Sequence, residues 1–240
     1  MQHGTIPGAD RALVVDDHEI SRHFTVAALR QGDLRVKHCA DAGQALQLAR
    51  DWLPKIIVLD IQLACRDIDG QQLAAEILQI WPGMTERPLL LALTAQPSLL
   101  NSTPGSRGLF DHVLRKPLSS KALWTAIGSK HPEHHETCLP EAGGQLRALF
   151  HQELQQRLPQ LDACMTRLDL AGVAAITHQL TASCALCGAE ELRKKMYRLN
   201  RSCRREIGNS QLSRDYFSLV SAVRRYLAEA NREAMPTPTE

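Results

Sequence analysis

Residues 11–17 read Arg-Ala-Leu-Val-Val-Asp-Asp, an uninterrupted apolar run that stops on two carboxylates. The same punctuation returns along the first half of the chain. Ile56-Ile-Val-Leu stops on Asp60, Leu89-Leu-Leu-Ala-Leu stops on Thr94, and Val113-Leu-Arg stops on Lys116-Pro117. Short apolar runs without alternation are strands covered on both faces, which means a parallel sheet with helical crossovers. Ligands of such sheets sit at the carboxyl edge of the strands. Three carboxylates, a hydroxyl and an ammonium are therefore expected in one pocket.

The segments between these strand ends are amphipathic. Residues 19–31 carry Ile20, Phe24, Ala27, Ala28 and Leu29, residues 42–52 carry Ala45, Leu46, Leu48 and Ala49, and residues 70–80 carry Leu73, Ile77 and Ile80, at helical spacing. Another helix is expected after Ser119-Ser120. Strand followed by helix recurs five times, but the fourth helical segment, 96–108, holds Pro97, Pro104, Gly105 and Gly108, which break helices. The expected fold is α/β, a doubly wound five-stranded parallel sheet. Residues 130–144 lack apolar periodicity and read as a linker. Beyond it, helical patterns over 145–168, 170–187, 189–206 and 210–231 predict an all-α four-helix bundle. The domains are thus expected at 9–129 and 145–232.

The chain of 240 residues has room for two cores, and its net charge of +2 argues against a polyelectrolyte built to coat nucleic acid. Its apolar stretches fall well short of the ~20 residues that cross a bilayer, and the N-terminus has no signal-peptide pattern. Seven cysteines in apolar contexts read as reduced thiols, so the expected location is cytoplasmic.

Acidic residues that precede a helix often only cap it, and Asp16 and Asp17 taken alone fit that role. Recurrence at Asp60, Thr94 and Lys116 favours a site. Crowded carboxylates raise one another's pKa unless a cation neutralises them, and a hard divalent ion such as Mg²⁺ is the natural remedy. Asp16, Asp17 and Asp60 are the candidate ligands. An exposed carboxylate beside that ion can attack phosphorus, making Asp60 the candidate nucleophile, with Lys116 and Thr94 on the phosphoryl oxygens.

Residues 11 to about 128 resemble the receiver domain of two-component response regulators: an acidic pair after the first strand, an aspartate after the third, Thr after the fourth and Lys-Pro after the fifth. The resemblance implies a flavodoxin-like fold, phosphorylation of Asp60 by a sensor histidine kinase, and a backbone carbonyl of Gln62 in the Mg²⁺ shell. Two features depart from the pattern. The loop after Asp60, Ile61 to Gly70, is longer and lacks proline, and Val113 occupies the position where many receivers carry a switching aromatic residue.

In the second half, Val173, Ile176, Leu180, Cys184 and Cys187 form a stripe at helical spacing, and His178 points away from it. Small neighbours, Thr181, Ala182 and Ala185, leave this imidazole clear, and neutral imidazole can accept a phosphoryl group. His178, Leu180, Ser183, Gly188 and Ala189 resemble the histidine-containing phosphotransfer (HPt) motif, with Thr181 where Lys is common and Ala182 where Gly is common. That resemblance implies exchange of phosphate with a downstream response regulator receiver. Arg193, Lys194, Lys195, Arg198, Arg201, Arg204 and Arg205 make a basic run, read as a solvated face or a dock for an acidic partner; nucleic acid is less expected, because Tyr197 is the single aromatic there. Cys184-x-x-Cys187 reads as core packing, and His131, His134, His135 and Cys138 as an adventitious metal group at most. No nucleotide-binding motif is present, so no ATP-binding kinase domain is expected. The leading expectation is a phosphorelay protein. The alternatives are a response regulator with a partner- or RNA-binding helical output, and the C-terminal portion of a hybrid sensor kinase.

Overall fold

The computed structural model describes residues 11–32, 34–63, 69–81, 87–95, 108–128, 140–204 and 209–234. The segment 96–107, most of the linker, and Arg205 lie outside the described residues, as do His131, His134, His135 and Cys138. The chain divides into two compact units, 1–142 and 143–240.

Five strands, β1 (Arg11–Val15), β2 (Arg35–Cys39), β3 (Ile56–Asp60), β4 (Leu89–Thr94) and β5 (His112–Arg115), form one sheet in the order β2-β1-β3-β4-β5. Every pairing is parallel. Helices α1 (Glu19–Arg30), α2 (Ala42–Trp52), α3 (Gly70–Leu78) and α4 (Ser120–Ile127) follow the first, second, third and fifth strands. Strand direction explains the division of the core. Ala12 and Val14 face one side with Ala28, Leu29, Leu123 and Trp124, while Leu13 and Val15 face the other with Ala45, Ala49, Leu73 and Ile77. Each fully buried leucine or isoleucine contributes about 1.5–3 kcal/mol of transfer free energy. On α1, Phe24 and Ala27 are only half-buried; Ser21 and Thr25 take their places inside, Thr25 Oγ1 donating to the Ser21 carbonyl at 2.9 Å.

The order of strands reverses between β1 and β3, so a crevice opens at their carboxyl ends. Val15 is paired with Leu59, which brings the next residues, Asp16 and Asp60, to the same edge.

The second unit contains α5 (Pro140–Thr166), α6 (Leu170–Leu186), α7 (Glu190–Arg204) and α8 (Asn209–Ala234). Helix α5 begins at Pro140, inside the segment 130–144 expected as linker. A proline with fixed φ suits the first helical turn, and the Gly143-Gly144 pair costs only about 1 kcal/mol per glycine once flanked by helix formers. Leu168 takes a left-handed conformation (φ 54°) after α5, and Asp169 caps α6 by accepting from Gly172 N at 2.9 Å.

Contacts run antiparallel around this unit. Leu146 meets Cys187 and Cys164 lies beside Gly172 across α5 and α6. Glu191 pairs with Arg225, Lys195 with Ser218 and Ser202 with Asp215 across α7 and α8. Phe150 stacks edge-on against Tyr226, and Tyr216 donates to Asp162, closing α8 onto α5. The result is a four-helix bundle whose interior holds Phe150, Leu154, Val173, Leu180, Met196, Leu199 and Leu219.

Candidate functional site

Asp16 leaves β1 completely buried. Its Oδ1 accepts from the His18 N–H at 2.9 Å, and its Oδ2 accepts from Ser21 Oγ at 2.6 Å and Lys116 Nζ at 2.8 Å. The N-cap of α1 is His18, whose Nδ1 accepts from Ser21 N at 3.3 Å, so neither aspartate serves as the capping residue. Asp17 is exposed at the mouth of the crevice. Arg22 anchors the turn by donating to the Asp16 carbonyl at 2.7 Å.

Asp60 ends β3 and is 4% exposed. Its Oδ1 accepts from Gln62 N at 3.0 Å and its Oδ2 from Lys116 Nζ at 2.7 Å. Lys116 directly follows β5 and precedes a cis Lys116–Pro117 peptide, and its backbone N–H donates to the Thr94 carbonyl at 2.9 Å. Four strand ends thereby converge: Asp16 and Asp17 from β1, Asp60 from β3, Thr94 from β4 and Lys116 after β5. Thr94 is completely buried, whereas Val113 on β5 is 44% exposed.

Burial pushes the Asp60 carboxyl above the usual carboxylate range; the Lys116 ammonium opposes that rise and the Asp16 carboxylate adds to it. For Lys116, burial works against the charge, but Asp16 and Asp60 outweigh it and raise its pKa. One ammonium thus bridges two buried carboxylates while a third stands nearby. Ligand atoms of Asp16, Asp17 and Asp60 all lie within 4.8 Å of one another. A set of carboxylate oxygens with an excess of negative charge fits a hard divalent cation such as Mg²⁺ and does not fit a thiophilic metal. Among the described residues it is the single such cluster of three or more.

Two residues that support this site have no role in the sequence reading. Ser21 fixes one oxygen of Asp16 from the first turn of α1. Gly70 opens α3 against the Asp60 strand end: a Cβ there would lie 2.5 Å from the Asp60 carbonyl oxygen and 2.6 Å from Ile61 Cα. The Asp69-x-x-Gln72 capping box that starts α3 is the sequence signal that marks this junction.

In the helical unit His178 is exposed on α6, while Val173, Ile176, Thr177, Leu180 and Cys184 are buried. Thr181, Ala182 and Ala185 are half-buried around it. Cys184 is inside the bundle, where burial pushes its thiol up, and half-buried Cys187 points its Sγ toward the Leu146 carbonyl at 3.7 Å. The pair is packing, not a metal site.

Known proteins agree with the first unit. The family model described as response regulator receiver domain matches residues 12–128. The sensor histidine kinase AruS of Pseudomonas aeruginosa is 29% identical over 244 residues, an alignment covering 92% of this chain and 24% of that protein. The chain therefore spans about a quarter of that relative's length. Among solved structures, a CheY-like receiver domain protein from Methanospirillum hungatei JF-1 is 25% identical, covers 50% of this chain and 92% of its own, and gives a TM-score of 0.44. A putative response regulator from Chloroflexus aurantiacus J-10-fl is 26% identical over 49% of this chain and 93% of its own, with a TM-score of 0.43. Receiver domains bind Mg²⁺ at an acidic cluster, and here Asp16, Asp17 and Asp60 compose one. The parallel sheet, the carboxylates gathered at its switch point and the matched family model converge on one conclusion: residues 12–128 are a response regulator receiver domain of two-component signalling.

Proposed function

We propose that this chain is a phosphorelay protein in which Asp60 accepts a phosphoryl group from a sensor histidine kinase and His178 exchanges phosphate with a downstream receiver. The observation that carries the first half is the Asp60 carboxylate held at the strand edge by Lys116 and Gln62, beside Asp16 and Asp17. Asp16, Asp17 and Asp60, with the Gln62 carbonyl, would hold Mg²⁺. When bound, the ion neutralises charge on the carboxylates and on the phosphoryl oxygens.

The chain's own residues supply the rest. Asp60 attacks phosphorus; the nitrogen–phosphorus bond of the kinase phosphohistidine breaks as an oxygen–phosphorus bond forms, and the ring, which carries a proton on its other nitrogen, takes the bonding pair and leaves as neutral imidazole. Lys116, already between Asp16 and Asp60, takes up the added negative charge, and the Thr94 hydroxyl contacts a phosphoryl oxygen. The second half rests on an exposed imidazole in mid-helix, clear of bulky neighbours, on an antiparallel bundle. It is also supported by the AruS alignment, which covers 92% of the chain and so reaches past residue 142 into the helical unit.

No helix among the described residues is long and apolar enough to cross a membrane, which is compatible with the proposed cytoplasmic location. The AruS likeness favours one further reading, that this pair of units is a C-terminal module of a hybrid sensor kinase. The phosphate chemistry is the same in both. Acetyl phosphate labelling tests the proposal: Asp60→Asn abolishes labelling of the receiver, and His178→Gln preserves it while ending transfer to a partner receiver. Unchanged labelling of the first variant removes Asp60 from the role, and persistent transfer by the second removes His178.

A further inference from the structure

The HPt-like helix has Thr181 where a cation is common, so the charge on a phosphorylated His178 has no partner from α6 at that position. We propose that Arg201 of the neighbouring helix α7 binds the transferring phosphoryl group at His178. The inference rests on the proposed role of His178 and specifies how that site is completed.

The register of the two helices is fixed by Asn200. Its Nδ2 donates to the Ala174 carbonyl at 2.7 Å and to Thr177 Oγ1 at 3.0 Å, so Asn200 faces the stretch of α6 that ends one residue before His178. One residue before each contact lies a core side chain: Ile176, 8% exposed, and Leu199, completely buried. Each step along a helix turns about 100°. One residue past each contact must therefore turn to the opposite, solvent side of the same interface, and those residues are His178 and Arg201. Both are exposed.

Helix direction brings them together. The turn at Cys187–Ala189 makes α6 and α7 antiparallel neighbours. Side chains lean toward the N-terminus of their own helix, so His178 leans toward the level of Ala174 and Arg201 leans toward the level of His178. Tyr197, one turn earlier on α7 and 64% exposed, borders the same groove. Arg198 turns to the other side, toward α8. Arg193 is held by Glu190 at 2.7 and 2.9 Å and Lys195 by Ser218 at 2.7 Å, so Arg201 is better placed for an incoming anion than either. A planar guanidinium offers two parallel N–H donors to phosphoryl oxygens.

In the step itself the oxygen–phosphorus bond of an aspartyl phosphate breaks as the nitrogen–phosphorus bond to His178 forms. The carboxylate leaves as an anion, and the phosphorylated ring keeps the proton on its other nitrogen. Arg201 balances the phosphoryl charge throughout and gains or loses nothing.

The test uses the full chain carrying Asp60→Asn, so that histidine is the reactive site under study, with potassium phosphoramidate as phosphoryl donor and ³¹P NMR as readout. The expected result is labelling at His178, slowed about tenfold or more by Arg201→Ala, less by Arg201→Lys, and within about twofold of the parent by Arg198→Ala. Helical content and melting temperature, followed by circular dichroism, separate a local effect from a folding defect. An Arg201→Ala chain that folds and is labelled at the parental rate overturns the assignment of Arg201. A parental spectrum from which His178→Gln removes no phosphohistidine resonance, the other nine histidines accounting for all labelling, overturns the role of His178 itself.

Discussion

Replacing Lys116 with methionine removes the one ammonium that bridges Asp16 and Asp60, at 2.8 and 2.7 Å, and leaves the two carboxylates 0% and 4% exposed. Breaking a buried pair by deleting one partner costs about 3–5 kcal/mol. The lysine side chain is 15% exposed, so water reaches the site and the lower end, about 3 kcal/mol, is the appropriate figure. Asp60, already raised by burial, rises further without the ammonium. A carboxyl with a raised folded-state pKa loses stability as pH climbs from its unfolded value through its folded value, so the deficit is smaller at pH 5 than at pH 8. The assay is built into the sequence: Trp52, Trp81 and Trp124 all lie in the first unit, so tryptophan fluorescence reports unfolding of the receiver without interference from the bundle. With a urea slope of about 1.5 kcal/mol/M, a loss of 3 kcal/mol moves the midpoint down by about 2 M in EDTA. Millimolar Mg²⁺ then stabilises the variant more than the wild type, because the ion no longer competes with an ammonium. A midpoint in EDTA within about 0.3 M of wild type would refute the reasoning, since the bridge would then contribute nothing net.

Asp60→Asn acts in the opposite direction: it relieves a carboxyl that burial disfavours, so in EDTA the fluorescence midpoint rises while the stabilisation by Mg²⁺ falls. Gly70→Ala forces a methyl against the backbone of Asp60 and Ile61, at 2.5 and 2.6 Å, and should cost about 1–3 kcal/mol together with slower acetyl phosphate labelling; a neutral variant would show that this junction yields freely. In the bundle, burial and the Asp162 hydrogen bond push the Tyr216 phenol from 10.0 to about 12. Its contribution is therefore complete below pH 10 and is lost as pH rises toward 12, so absorbance at 295 nm should titrate late in the wild type, and Tyr216→Phe should flatten the melting temperature of the helical unit over that range.

The central strands were legible because β1, β3 and β4 are covered on both faces and their sequences stay apolar throughout; their last residues then had to be the edge of the sheet. Edge strand β2 is harder to see, since Arg35, Lys37 and His38 are exposed and only Val36 and Cys39 are apolar. The five chemical positions of the receiver site could be gathered in advance for the same reason: each terminates a strand whose direction is fixed by the parallel topology. The supporting residues could not. Ser21 lies on a helix turn with nothing in its neighbours to indicate that it faces Asp16, and Gly70 is needed only because α3 starts in contact with β3. The start of α5 lay inside the expected linker because residues 130–144 lack apolar periodicity, and the first turn of a helix of 27 residues, opened by Pro140, needs no apolar stripe of its own.

The helical unit separates the two kinds of information further. A stripe of Val173, Ile176, Leu180 and Cys184 is enough to place His178 outside the bundle, because one helix fixes its own polar face. What stands beside His178 depends on the phase of a second helix, and seven basic residues in 193–205 offer several choices without a way to rank them. Asn200 removes that freedom. By hydrogen bonding to Ala174 and Thr177 it sets the phase of α7 against α6, and the next residue of each helix turns into the same solvent groove. Pairing Arg201→Ala with Ser213→Arg, on an exposed position of α8, keeps the number of basic residues and the phase of every helix, and should lower phosphoramidate labelling as Arg201→Ala alone does; full labelling of that folded chain would mean that bulk positive charge, not the placement of one guanidinium, serves the site.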